Sequence, residues 1–146
     1  MHINRTIVSI LLLFALASCN DDRREERLNA AGPNPTLEAL LAVADVDSGE
    51  RKFRQCAACH KIGKGAPDFG GPNLYGIFGQ RLGQHSARYS YTAALQNANG
   101  RWDASTLDAW MEDPQKVVPG TKMIFAGVPD PLDRADLIAY IRSRSD

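Results

Sequence analysis

The sequence predicts an all-α domain, built from short helices joined by long loops. Three observations predict it. Apolar residues recur at helical spacing in several stretches that open on a capping Asp, Ser or Thr. Residues 61–90 hold nine Gly and Pro, which break any long regular element there. No two segments alternate apolar and polar residues as paired strands would. At 146 residues the chain has room for one domain with one core. Its 17 basic and 17 acidic side chains cancel, so net charge carries no sign of nucleic-acid binding.

Residues 1–18 read as an export signal. His2 and Arg5 make a polar, basic start, and "IVSILLLFALAS" at 7–18 is almost wholly apolar. That run is too short for a bilayer span, which needs about 20 residues. It fits a signal core followed by small residues at a cleavage site. An uncleaved, tilted anchor is the alternative. "LASC" at 16–19 resembles the bacterial lipoprotein signal, in which Cys19 is lipidated and becomes the mature N-terminus. A stray thiol beside an ordinary cleavage site is the plainer reading, but it leaves an odd cysteine in an exported chain. Residues 19–36 are then expected as a lipid-anchored flexible linker. They are charged and then rich in Ala, Gly, Pro and Asn, without apolar periodicity.

The domain is expected over 37–146. "TLEALLAVAD" places Leu37, Leu40, Leu41 and Ala44 at helical spacing behind Thr36 as cap. "DSGERKFRQCAACH" opens on Asp47 with Glu50 three residues on, a capping-box pattern. The Gly- and Pro-rich stretch that follows is long for a compact domain and is expected to wrap something. "YTAALQNAN" is a short helix ended by Gly100. "DASTLDAWMEDP" is another, capped by Asp103 or Ser105 and stopped by Pro114. Residues 117–131 are irregular. "DRADLIAYIRSR" closes the chain with an apolar stripe of Leu137, Ile138 and Ile141.

"CAACH" at 56–60 is the chemical centre of the sequence. Zinc wants four ligands, and beyond this motif only His2 and His85 remain among the histidines. A redox dithiol uses C-x-x-C on a βαβ scaffold, which this chain does not show. A plain disulfide leaves His60 without a reason. C-x-x-C-H is the attachment motif of c-type haem. In that chemistry Cys56 and Cys59 add across the haem vinyl groups, and His60 faces the iron. A sixth ligand is available as well. Met123 lies beyond a Pro-Gly turn, in a loop able to reach across a haem. Met111 lies within a helix, where a methionine is more often core. His85 lies in a loop, where a histidine is usually just solvated. Methionine opposite histidine suits an electron-transfer centre and raises its potential.

"CAACHK", "GPNLYGIFG", "YSYTAA" and "PGTKMIFAGV" resemble, in order and spacing, class I cytochrome c of the mitochondrial and bacterial c2 type. The resemblance covers residues 46–144. It implies a class I cytochrome c fold of about four to five helices and long loops, wrapped around one covalent haem c. Cys56 and Cys59 would carry the thioethers, and His60 and Met123 would ligate the metal. Pro72 would accept the imidazole N–H. Tyr91 and Trp102 would bond the propionates, with Tyr89 and Thr121 nearby. Gly49 and Phe53 would meet Leu137 and Tyr140 where the first and last helices of the fold cross. The chain also departs from the pattern. Gln80 stands where the family has an Arg beside a propionate, with Arg81 next, so either could fill that role. Tyr75 stands at a frequent His. Trp110 replaces a Tyr that bonds the methionine sulfur, and Leu95 replaces an Asn that holds a water. The methionine side is therefore expected to be drier and less hydrogen-bonded, with opposite effects on the potential.

Residues 51–101 carry eight basic side chains and one acid, Asp68. A positive rim that steers an acidic redox partner is the functional reading, and a mixed solvated surface the plain one. The resemblance implies a one-electron carrier rather than an enzyme. It would be monomeric, tethered on the periplasmic side through Cys19, and would have no nucleic-acid partner. A cytochrome bc1-type complex would be its donor, and an oxidase or photosynthetic reaction centre its acceptor. The alternatives are a pentacoordinate haem peroxidase or ligand-binding protein, and a dedicated electron-accepting subunit of one dehydrogenase.

Overall fold

The computed structural model describes residues 23–145, and contains helices and loops only. The proposed signal at 1–18 and the proposed lipidation site Cys19 lie outside the described residues. Among the described residues seven helices follow in order: α1 Arg24–Ala31, α2 Leu37–Ala42, α3 Val46–Phe53, α4 Ala93–Asn97, α5 Ala104–Glu112, α6 Pro114–Val117 and α7 Pro131–Ser143. Five of them, α3 to α7, lie within the stretch that resembles cytochrome c. Among the described residues the β geometry amounts to one isolated antiparallel bridge, Arg81 with Arg101.

Caps fix where most helices begin. The side chains of Thr36, Thr92, Asp103, Asp113 and Asp130 each accept a backbone N–H from the first turn that follows. Two expectations shift slightly. α3 is capped by Asp45, which accepts from Ser48 N, and not by Asp47. Pro114 ends α5 as expected, but it also opens the short α6, since a first-turn proline lacks only an N–H that has no helical partner.

α3 crosses α7 at Gly49. A Cβ on Gly49 would lie 2.1 Å from the Asp136 carbonyl oxygen and 2.8 Å from Tyr140 Cβ. No side chain larger than hydrogen allows this approach. Phe53 packs its ring 5.4 Å from that of Tyr140. The main core gathers Phe53, Leu107, Trp110, Leu137, Ile138 and Ile141 with the loop residues Ile77 and Leu82.

The stretch 19–36, expected as a flexible linker, is corrected where it can be seen. Residues Arg24–Ala31 form α1, which docks on the domain. Arg24 bonds Asp130, and Asp133 at 2.7 Å. Arg27 pairs with the fully buried Asp136 at 2.6 and 3.2 Å. Lys52 of α3 joins the row at Asp133, 3.0 Å away. Beneath these charges Leu40, Leu132 and Ala135 make a second small core, with Ala31, Leu41, Val43 and Ala44 packed against it. α7 is thus buried well beyond the Leu137, Ile138 and Ile141 stripe: α3, α5 and α2 pack against it, and the α1 arginines reach its acidic residues.

Candidate functional site

The end of α3 sets the site. Its helical trajectory runs on through bonds from Cys56 N and Ala57 N to Phe53 O, and from Cys59 N and His60 N to Cys56 O. Residues three apart on such turns share a side, so both free thiols reach one cavity. That cavity measures about 570 Å³. The Gly-rich loop then folds over it. Gly71 N bonds Cys59 O at 2.8 Å, and Asn73 ties Gly63 O and Ala66 O together through its amide. Phe69, Pro72, Leu74 and Ile77 of this loop line the cavity, as Phe53, Leu107, Met111 and Ile141 of the helices do.

His60 is positioned twice. Its Nδ1 lies 2.8 Å from the Pro72 carbonyl oxygen. A carbonyl can only accept, so Nδ1 carries the hydrogen and Nε2 keeps its lone pair. Gly71 supplies the room: a Cβ there would lie 2.3 Å from His60 Cε1. Burial lowers the His60 pKa from its ordinary value, against the pull of the Pro72 bond. The imidazole is therefore neutral at neutral pH, the form that binds metal. Burial pushes the Cys56 thiol up to about 11, so it sits in the cavity as a thiol.

Across the chain, residues 118–128 supply Thr121, Met123, Phe125 and Val128 to the same cavity. Thr121 Oγ1 accepts from Met123 N, and Val128 N returns to Met111 O at 2.7 Å. Arg134 closes the far end of the loop, bonding the carbonyls of Val128 and Pro129 and the carboxylate of Asp108.

The expected site residues are brought together with one exception. Cys56, Cys59, His60, Pro72, Tyr89, Tyr91, Trp102, Thr121 and Met123 all line the cavity. Arg81 does not. It is exposed, its backbone pairs with Arg101, and neither it nor Gln80 borders the cavity. Both side chains are exposed to solvent. His85 also stays out of the lining, while Met111 joins it as a buried core residue. Leu95 is buried there, as the drier pocket requires. The hydrogen bond expected to be missing is present in another form: Trp110 Nε1–H donates to Met123 Sδ at 3.1 Å. Its sequence signal was the indole itself, which is a donor like the hydroxyl it replaces.

The mouth of the cavity was not foreseen. Phe69 is 67% exposed and Ile124 97% exposed, and both border the opening. Lys61 lies 5.1 Å from the Phe69 ring centroid, and Lys122 lies 4.4 Å from that of Tyr89.

The family profile described as cytochrome c matches residues 46–145. This chain belongs to the cytochrome c family. Its cytochrome c domain is 40% identical over 106 residues to a cytochrome c2 of Rhodomicrobium vannielii, covering 73% of this chain and 84% of that one. A cytochrome c homolog of Bradyrhizobium diazoefficiens is 38% identical over 117 residues, covering 80% of this chain; the match spans 64% of that relative's length. Among solved structures, cytochrome cH from Methylobacterium extorquens superimposes with a TM-score of 0.65 at 38% identity, covering 68% of this chain and 99% of that one. The fold is thus the all-α class I cytochrome c fold. The family carries one covalently bound haem c and transfers electrons, and Cys56 and Cys59 fit its C-x-x-C-H attachment motif. The residues present fit the group: two thiols, a neutral imidazole with a free Nε2 and a thioether meet in one largely apolar cavity.

Proposed function

We propose that this cytochrome is a one-electron carrier with His60 and Met123 as axial ligands, working between membrane redox complexes. The observation that carries the reading is that His60 and Met123 line the same cavity as the two thiols. When bound, the haem supplies an iron that cycles between ferric and ferrous states. Pro72 holds the His60 ring so that Nε2 is free to ligate. Met123 would offer its thioether as the second ligand, which would leave no open position for a substrate. The apolar lining excludes water and disfavours the extra charge of the ferric state. Tyr91 and Trp102, which line the cavity, would be the donors for the propionates, and Thr121 steadies the ligand loop. With both positions filled, the protein does no bond-making chemistry.

The test uses the as-isolated holoprotein, its Met123→Ala variant and its His85→Ala variant. Wild type should be six-coordinate and low-spin, with the weak far-red band of methionine on ferric iron. Met123→Ala should lose that band, lower the potential and gain peroxidase activity, and His85→Ala should do none of these. Exchanged behaviour of the two variants would overturn the ligand assignment.

Docking and tethering belong to the same proposal. The exposed Phe69 and Ile124 beside Lys61 and Lys122 suit a partner with an apolar centre and an acidic border. A bc1-type donor and an oxidase or reaction-centre acceptor would meet it there. With α1 folded onto the domain, a lipidated Cys19 would be joined to it by residues 20–23 alone, a reach of about 14 Å. The monomer would be held close to one membrane on its periplasmic side. Cys19→Ser should move the cytochrome to the soluble fraction with its spectrum unchanged. The association rate of that soluble form with a partner should fall steeply with salt. Wild type found wholly soluble would refute the tether, and a salt-independent rate would refute the steering.

A further inference from the structure

Five asparagines lie among the described residues, and the structure treats one of them differently. Asparagine is a thermolabile residue. Its side-chain carbonyl carbon can be attacked by the backbone nitrogen of the residue that follows. The attack needs a free N–H there, little bulk on that residue, and a side-chain amide that nothing holds. Asn34 precedes Pro35, which has no N–H. Asn29 lies inside α1. Asn73 is held through its amide by Gly63 O and Ala66 O, and the next nitrogen, that of Leu74, bonds Lys61 O at 2.7 Å. Asn97 ends α4, and the nitrogen of Ala98 bonds Leu95 O at 3.3 Å. Asn99 meets none of these obstacles. It is exposed in the loop after α4, and Gly100 follows it. Among the described residues neither the Asn99 side-chain amide nor Gly100 N enters a hydrogen bond. The fold itself demands the glycine, since its φ of 130° lies in a region that side chains rarely adopt.

We propose that Asn99 is a self-modifying site, where the folded protein slowly converts a side-chain amide into a carboxylate. Gly100 N bonds to Asn99 Cγ and the Cγ–Nδ2 bond breaks, so ammonia leaves and a cyclic imide remains. Water then opens the ring at either carbonyl. One opening gives aspartate. The other gives isoaspartate, in which the main chain runs through Cβ and gains an atom. No electrons are exchanged, and water is the co-reactant. The two products act differently on the fold. Both place a negative charge beside Arg101. Arg101 and Arg81 face each other as an isolated antiparallel bridge pair, and like charges directly opposite repel. Neither has a carboxylate partner among the described residues. Aspartate therefore supplies a counter-charge without lengthening the backbone. Isoaspartate lengthens a link that is fixed at both ends, by Ala98 N on Leu95 O and by Leu82 N on Gly100 O at 3.2 Å. The corner it strains carries Trp102, whose N bonds Gln80 O at 2.8 Å and whose buried indole lines the cavity.

The experiment ages the holoprotein at mildly alkaline pH beside its Asn99→Asp and Asn99→Gln variants. Peptide mass reads deamidation at each asparagine. Methyl transfer from S-adenosylmethionine by an isoaspartyl methyltransferase reads isoaspartate, and guanidinium unfolding reads the corner. The hydrogen bond on Ala98 N and the stiffer backbone of alanine each hold Asn97 back by about five-fold, so Asn99 should deamidate about twenty-fold faster. Its rate should rise in proportion to hydroxide, because the attacking nitrogen must lose its proton. Isoaspartate should accumulate in wild type, and the unfolding equilibrium constant of the aged protein should rise about five-fold, the worth of one lost hydrogen bond. Asn99→Asp should unfold no more easily than fresh wild type. Asn99→Gln, whose longer side chain closes a ring far more slowly, should keep its mass and its unfolding midpoint on ageing. Deamidation of Asn99 no faster than that of Asn97 would overturn the site. Isoaspartate at position 99 with an unchanged unfolding midpoint would overturn its effect on the corner, as would an Asn99→Asp variant weakened as much as aged wild type.

Discussion

Gly71→Ala should cost this cytochrome its normal haem centre, although alanine is the smallest change a glycine can undergo. The backbone at Gly71 does not lie in the left-handed region, so nothing in its conformation excludes alanine. The obstacle is the His60 ring. The new Cβ would sit 2.3 Å from Cε1, 2.6 Å from Nδ1 and 2.8 Å from Nε2. All three distances are far inside van der Waals contact, so the ring must move. Moving it breaks the 2.8 Å bond to Pro72 and turns Nε2 from its aim. The loop cannot retreat instead, because Gly71 N is bonded to Cys59 O. Overpacking of this kind costs about 1–3 kcal/mol, and here all of it falls on the imidazole that should bind iron. The yield of low-spin, haem-loaded protein should fall at least about ten-fold. Gly63→Ala is the control, since its Cβ would meet only Ala66 Cβ at 3.7 Å. A Gly71→Ala protein with the wild-type spectrum and yield would show that the cradle around His60 is loose.

That cradle illustrates what the sequence could and could not disclose. Cys56, Cys59, His60 and Met123 were singled out because the attachment motif and the Pro-Gly turn fix their spacing along the chain, and Pro72 only through the resemblance. Two thiols three apart must share a helical turn, and a methionine after a Pro-Gly turn must sit in a loop. Gly71 was legible only as a turn residue, because what a Cβ would strike lies eleven residues back in space rather than in pattern. Arg81 failed for a related reason. Which way an arginine points after a glycine turn depends on backbone torsion, and here it points to solvent. Trp110 was read as a lost hydroxyl when its indole keeps a donor in the same place. α1 was hidden most thoroughly. A run such as "NDDRREERLNAA" has the composition of a solvated tether, and its partners lie more than 100 residues away. Yet a matched signal was present. Arg24 and Arg27 are three apart, as are Asp130, Asp133 and Asp136, so each set forms one helical stripe.

Arg27→Met should destabilise the domain far more than any other change on α1. Asp136 is 0% exposed, and its carboxylate accepts from Arg27 Nη1 at 2.6 Å, Arg27 Nη2 at 3.2 Å and Asp45 N at 2.8 Å. Methionine would fill much of the arginine's volume, but it would leave a buried charge with a single backbone N–H. Breaking a buried pair in this way costs about 3–5 kcal/mol. Arg24→Met removes contacts with Asp130 and Asp133, which are part-exposed, and should cost no more than about 1 kcal/mol. Adding Asp136→Asn to Arg27→Met removes the stranded charge while keeping an oxygen for Asp45 N. The double variant should regain most of the loss. Guanidinium unfolding of the four holoproteins, followed by far-UV circular dichroism, reads these differences directly. Asp136 shares its helix with Tyr140 and Ile141, which pack beside Phe53 and the cavity. Arg27→Met should therefore also loosen the haem crevice, and its far-red band should fade at a lower denaturant concentration than in wild type. If Arg27→Met unfolds at the wild-type midpoint, α1 is a passive appendage and the folded unit begins near α2. If it falls as expected, the segment ahead of the cytochrome core is part of what holds α7 in place.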